Sequence, residues 1–147
     1  MLMIYFKKLF LTFVFVLSYN SIVFAEDKYF NEGLKLFNEE KYEDAKFLFE
    51  RSIIFDPKAS DSYLYLAKIY EVEKDIRKEE KNLDTTLLLE PSNEEALLMS
   101  MKIALEKTNY EKVKSLSETF SNVCKKLCSE KDEIIKTLNN LEPKNES

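Results

Sequence analysis

The sequence predicts an all-α solenoid made of three helix-turn-helix repeats and closed by a C-terminal helix. Rows of related residues return every 34 positions: Gly33, Ala67 and Met101 form one row, and Tyr42, Ile76 and Tyr110 another. At the same spacing Asp56-Pro57 comes back as Glu90-Pro91. Between these markers the apolar residues follow helical spacing, and such a period means stacked units, each burying its apolar face only against its neighbours.

Residues 1–25 stand outside the repeat. Lys7 and Lys8 supply a positive flank, and Leu9 to Leu17 is apolar apart from Thr12. The polar Ser18-Tyr19-Asn20-Ser21 follows, and Val23-Phe24-Ala25 has the small-residue pattern of a cleavage site. This is an export signal cleaved after Ala25, which places the mature chain outside the cytoplasm, in a periplasmic compartment. The alternative is an uncleaved segment anchoring the chain to the inner membrane. Its uninterrupted apolar part is shorter than the roughly 20 residues a spanning helix needs. No cysteine stands at the cleavage point, so acylation there is excluded.

Cleavage leaves 122 of the 147 residues, enough for one domain with a modest core. It removes two lysines and no acid, so the net charge moves from −5 to −7. That balance excludes nucleic acid and anionic lipid as the main ligand. Membrane contact is expected only through the signal segment, if it is retained.

The repeats run 26–59, 60–93 and 94–127, each with two helices. In the first, Tyr29, Gly33 and Leu36 share one helical face, and Tyr42, Ala45, Phe49 and Ser52 share the next, with Asn38 to Lys41 as the polar turn. Gly33 and Ala45 are small because the two helices cross closely there, while Tyr42 and Phe49 fill the space alongside. Pro57 stops the second helix. Glu79 stands where the second repeat expects alanine, so its carboxylate must tilt outward or pair with a neighbour. Ser92-Asn93-Glu94-Glu95 and Thr108-Asn109-Tyr110-Glu111 read as capping boxes, with Ser92 and Thr108 as the caps. After the repeats, Ile134, Ile135, Leu138 and Leu141 form one stripe of a capping helix over about 129–142, which covers the open end of the array. Pro143 ends it, and 143–147 is a polar, frayed tail. The repeats and capping helix together make one domain, 26–142.

These markers resemble the tetratricopeptide repeat family, whose pattern carries an aromatic, a small residue, an aromatic, an alanine, an aromatic and a final proline at fixed offsets. The first repeat matches through Tyr29, Gly33, Tyr42, Ala45, Phe49 and Pro57, and the second through Tyr63, Leu66, Ala67, Tyr70, Leu83 and Pro91. The third keeps Leu97, Ala104, Tyr110 and Phe120 but has Met101, Val113 and Lys125 where the small residue, alanine and proline belong. The resemblance implies a right-handed solenoid whose first helices line a concave groove. On this chain that surface comprises an acidic row (Asp27, Asp61, Glu95), an apolar row (Phe30, Leu64, Leu98), a third row (Leu34, Lys68, Lys102) and a fourth (Phe37, Glu71, Leu105). An apolar strip with an acidic edge suits a peptide or helix carrying hydrophobic anchors and some basic residues. The family's carboxylate clamp is not matched, since Phe30 and Leu34 occupy the positions of its Lys and Asn. Small exported members serve as adaptors in envelope assembly, cytochrome maturation or secretion, which is what the resemblance implies of the role here.

Cys124 and Cys128 are the only cysteines, and in an exported chain a disulfide is expected. By the register Cys124 replaces Asp56 and Glu90 just before the missing proline, so a bridge would rigidify the junction ahead of the capping helix. Two intervening lysines also favour a thiolate, so thiol exchange is the functional alternative. Without histidine there is no third ligand for zinc and no axial ligand for haem, so no metal and no cofactor is expected. The missing histidine and the single glycine also leave no ordinary general base and no phosphate loop, so the chain is not expected to be an enzyme. The expected function is that of an adaptor or scaffold holding a protein or peptide partner. A self-associating structural protein, a homo-oligomer using the same strip, is the alternative.

Overall fold

The computed structural model describes residues 28–141, so the signal segment, Asp27 and the 143–147 tail lie outside the described residues. Seven helices and no strand occur among them: α1 (28–38), α2 (Tyr42–Phe55), α3 (Ser60–Glu73), α4 (Ile76–Leu89), α5 (Glu94–Glu106), α6 (Tyr110–Val123) and α7 (Glu130–Leu141). None of these helices is long and apolar enough to cross a membrane.

The 34-residue period appears in the backbone itself. Glu40, Lys74 and Thr108 each adopt a left-handed conformation, with φ of 58°, 57° and 54°. The following N–H then reaches back five residues: Lys41 donates to the Leu36 carbonyl, Asp75 to that of Tyr70, and Asn109 to that of Ala104. This closes the first helix of each pair with the left-handed turn that satisfies its last carbonyls. Repeat junctions are built alike. The N–H groups of Asp56, Glu90 and Cys124 donate to Ser52, Thr86 and Phe120 at 2.9, 2.7 and 2.8 Å.

The helix starts correct the capping boxes. Asn93, and not Ser92, caps α5, its side-chain oxygen accepting the Ala96 N–H at 3.0 Å. Asn109 does the same for α6 through the Lys112 N–H at 3.1 Å. Thr108 is occupied with the preceding turn, where its left-handed backbone and its hydroxyl bond to the Lys107 carbonyl keep it from capping. An asparagine amide accepts from the third helical N–H as well as a hydroxyl does, so the cap falls one residue later than the Ser/Thr pattern implies.

Contacts divide the chain into two compact units, one ending at Ser62 and the other beginning at Tyr63. In the first, Ala45, Phe49 and Ser52 of α2 are fully buried and Phe30 packs on Phe49 with ring centroids 5.7 Å apart. A Cβ placed on Gly33 would come within 2.9 Å of the Phe49 ring, so glycine is what lets α1 approach that ring. Ser52 and Ser62, both fully buried, satisfy each other through a 3.0 Å hydroxyl bond.

In the second unit one cluster gathers Leu64 and Ala67 of α3, Leu83 of α4, and Ala96, Met99 and Ile103 of α5. Another joins Leu97, Leu98, Met101 and Ala104 of α5, Val113 and Phe120 of α6, and Ile134 and Leu138 of α7. Helix α5 therefore contributes to both clusters and is buried over most of its length, which is why its sequence is apolar on nearly every side. Each of its large side chains is worth about 1.5–3 kcal/mol in burial. The α7 stripe divides: Ile134 and Leu138 are buried, Ile135 packs at the edge, and Leu141 is exposed.

Candidate partner-binding surface

Between α5 and α7 lies a cleft of about 340 Å³, lined by Leu98, Lys102 and Leu105 from α5 and by Glu130, Glu133, Ile134 and Thr137 from α7. Its floor is apolar, because Leu98 and Ile134 belong to the core beneath and Leu105 is half-buried beside them. Its rim is polar and mainly acidic, with Lys102, Glu130, Glu133 and Thr137 all exposed. The arrangement can take an apolar side chain and surround it with negative charge.

The residues expected to line a groove meet different fates. In the first unit Phe30, Leu34 and Phe37 are half-buried, Phe30 against Phe49 and Phe37 edge-on to Tyr42 at 5.6 Å. Asp61 is exposed on a polar hollow it shares with Ser60, Asp56 and Lys58. In the second unit Leu64 and Leu98 are core, at 4% and 6% exposure, and present no open strip. Leu64 packs among residues of α4 and α5, and Leu98 among residues of α6 and α7, which draws both inward. Glu95 and Lys68, expected in separate rows, form an ion pair at 2.7 Å, and the Lys68 ammonium sits 4.4 Å from the Tyr65 ring centroid. Glu71, Lys102 and the half-buried Leu105 remain accessible.

Glu79 is 6% exposed, and no hydrogen bond or ion pair reaches its carboxylate among the described residues, so it does not pair with a neighbour. Burial raises its carboxyl from 4.5 to about 7, with help from the charges of Glu71, Glu106 and Glu80 and against that of Lys102. The adjacent Glu80 has the opposite fate. Hydrogen bonding to Lys107, and then to Lys112, lowers its carboxyl below the usual range.

Cys124 and Cys128 are joined in a disulfide with Cα atoms 5.4 Å apart. The turn they close is held by Glu94, whose carboxylate accepts the backbone N–H groups of Lys125, Lys126 and Leu127 at 2.9, 3.0 and 2.7 Å. Those bonds, that of Leu127 first, depress the Glu94 carboxyl. No group of three or more potential metal ligands occurs among the described residues.

Sequence reasoning missed Glu130, Glu133, Ile134 and Thr137 as cleft residues and assigned the Ile134 stripe to packing alone. No groove row of the 34-residue register passes through these four positions, because α7 follows a disulfide turn in place of a proline junction. A signal was present nonetheless: the acids of the first turn of α7, Glu130, Asp132 and Glu133, precede its apolar stripe.

No family model and no curated protein matches the chain. Solved structures do. The TPR2B domain of yeast Sti1, in its pHsp70 complex, superposes with a TM-score of 0.70 at 11% identity, covering 80% of this chain and 98% of that domain. The first TPR of Spaghetti (RPAP3), bound to the HSP90 peptide SRMEEVD, gives 0.66 at 18% identity over 78% and 93%. The Yersinia enterocolitica type III secretion chaperone SycD, with a peptide of the translocator YopD, gives 0.67 at 12% identity over 78% and 89%. The chain has the tetratricopeptide-type fold, an all-α solenoid of helical-hairpin repeats.

Proposed function

We propose that this protein is a peptide- or protein-binding adaptor whose second unit holds its partner along the α5–α7 cleft, working in the cell envelope after export. The observation that carries the reading is the apolar floor of Leu98, Leu105 and Ile134 beneath the acids Glu130 and Glu133. Ligand sites of this kind combine an apolar lining with a few polar groups that orient the occupant. The similar folds solved with bound peptides support a binding role. The acidic rim favours a partner with hydrophobic anchors and basic residues, unlike the acidic SRMEEVD peptide, and Phe30 and Leu34 stand where a carboxylate clamp would need Lys and Asn. Export is supported by the segment pattern of residues 1–25 and by the Cys124–Cys128 disulfide, which persists in an oxidising compartment.

The test is affinity capture from an envelope extract with the native chain beside Leu105→Glu, a half-buried position at the edge of the core, with helicity and thermal stability checked by circular dichroism. A partner held by the native chain and lost by the variant supports the cleft. Equal capture by both sinks it. A measured mass above that of one chain, abolished by the same variant, would instead make a second copy the occupant. Cell fractionation tests the compartment, since retention with the membrane would mean an uncleaved anchor.

A further inference from the structure

We propose that two copies of this chain associate through α2, as a parallel two-fold helix pair centred on Phe47 and Ile54. The inference stands apart from the α5–α7 cleft, which belongs to the second unit.

Helix α2 buries Ala45, Phe49 and Ser52 on one side, and its opposite side carries Phe47 and Ile54 at 57% and 75% exposure. Their spacing is close to two helical turns, so the two side chains stand one above the other in a single stripe. The repeat does not require it. At the same register α4 has Lys81 and Leu88, and α6 has Ser115 and Asn122, so the first repeat alone keeps both positions apolar. Large apolar side chains grouped in water mark a contact surface, and a stripe with this spacing is what one helix offers to another.

The charges beside the stripe select its occupant. Glu43 and Glu50 border it on one side and Arg51 on the other. The Arg51 guanidinium is held in place, donating to the Tyr29 hydroxyl at 3.0 Å and lying 4.5 Å from the Tyr29 ring centroid and 5.6 Å from that of Phe47. Its fork of N–H groups can serve a carboxylate as well. When two identical helices meet in parallel about a two-fold axis, the left border of each faces the right border of the other. Arg51 of one copy then faces Glu50 of the second, and symmetry repeats the contact. An antiparallel pair sets like border against like, Arg51 against Arg51 and Glu50 against Glu50, so the charges select the parallel arrangement. Phe47 packs on Phe47 and Ile54 on Ile54 between the two ion pairs. The one like-charge encounter, Asp44 with Glu43, falls at one end, where Lys46 is bonded to Glu43 at 2.8 Å. A second copy carries both halves of this charge match by construction. The contact is small, since the 14 residues of α2 extend only about 21 Å, and it belongs to the weak class of interfaces.

The experiment is sedimentation equilibrium of the chain purified from its own cells, from about 10 µM to 1 mM, the range of a weak interface. The mass should rise from one chain toward two. Phe47→Glu combined with Ile54→Glu, both at exposed positions, should hold the mass at one chain throughout, with helicity and melting unchanged. Glu50→Arg alone and Arg51→Glu alone should each weaken association about tenfold or more, because each sets like charges face to face. An equimolar mixture of those two variants should associate again, since every border contact then joins an arginine to a glutamate. A native chain that stays single at every concentration overturns the proposal, as does association that survives the Phe47, Ile54 double variant. Association abolished by Leu105→Glu and not by that double variant would place the contact in the cleft and overturn it too. A mixture that stays as weak as its components would overturn the charge-matched pairing.

Discussion

The Glu94 carboxylate accepts the Leu127 backbone N–H at 2.7 Å across 33 residues of sequence, and with the Lys125 and Lys126 amides it ties the start of α5 to the turn before α7. Consecutive backbone N–H groups curled around one point make an anion site, and here the chain supplies its own anion.

Glu94→Ala is therefore expected to lower the melting temperature at neutral pH and to loosen residues 125–127 in amide exchange. Because the folded carboxyl is depressed, its contribution is fully present above the unfolded value of about 4.5 and is lost as pH falls through the lower folded value. The gap between the native chain and the variant should therefore narrow as the pH is taken below the unfolded value. A gap unchanged by acid would mean that the amide bonds contribute nothing.

Reducing the Cys124–Cys128 bridge, or replacing both residues by serine, should cost about 2 kcal/mol of stability, the loop-closure value for so short a span. Denaturant midpoints with and without reductant measure it. The loss should be smaller in a Glu94→Ala background, since bridge and carboxylate constrain the same turn, and strict additivity would separate the two constraints.

The left-handed turns carry strain that glycine would remove. Glu40→Gly, Lys74→Gly and Thr108→Gly should each stabilise the fold by about 0.5–1 kcal/mol, because a side chain at φ near 55° crowds its own carbonyl. Urea unfolding of the three single variants checks this, and destabilisation at any of them would show that its side chain contributes more than its strain costs.

Glu79 makes stability fall with rising pH. Below about 4.5 the group is protonated in both the folded and unfolded chains; between there and about 7 the unfolded chain ionises first, so folding becomes less favourable. The penalty at pH 8 has an upper bound on the order of 3 kcal/mol. Glu79→Ala, which restores the residue found at Ala45, should raise the melting temperature at pH 8 by more than at pH 5. An equal change at both would place the effect in packing and not in charge.

The sequence by itself determined the repeat: the 34-residue spacing, the small residues at Gly33, Ala67 and Ala45, the junction at Pro57 and the amphipathic last helix all arise from local propensity and from apolar faces that need a neighbour. Those are short-range requirements, legible one residue at a time. Only the tertiary structure decided that Leu64 and Leu98 are core, that Lys68 and Glu95 neutralise each other, and that α7 leaves a cleft against α5. It also left the side chain of Glu79 largely buried with no ion pair to its carboxylate and set Glu94 on the disulfide turn. Burial and charge pairing depend on the curvature and spacing of packed helices, where a rotation of a few tens of degrees moves a side chain from solvent into the core, and a repeat register assigns faces only to within that rotation.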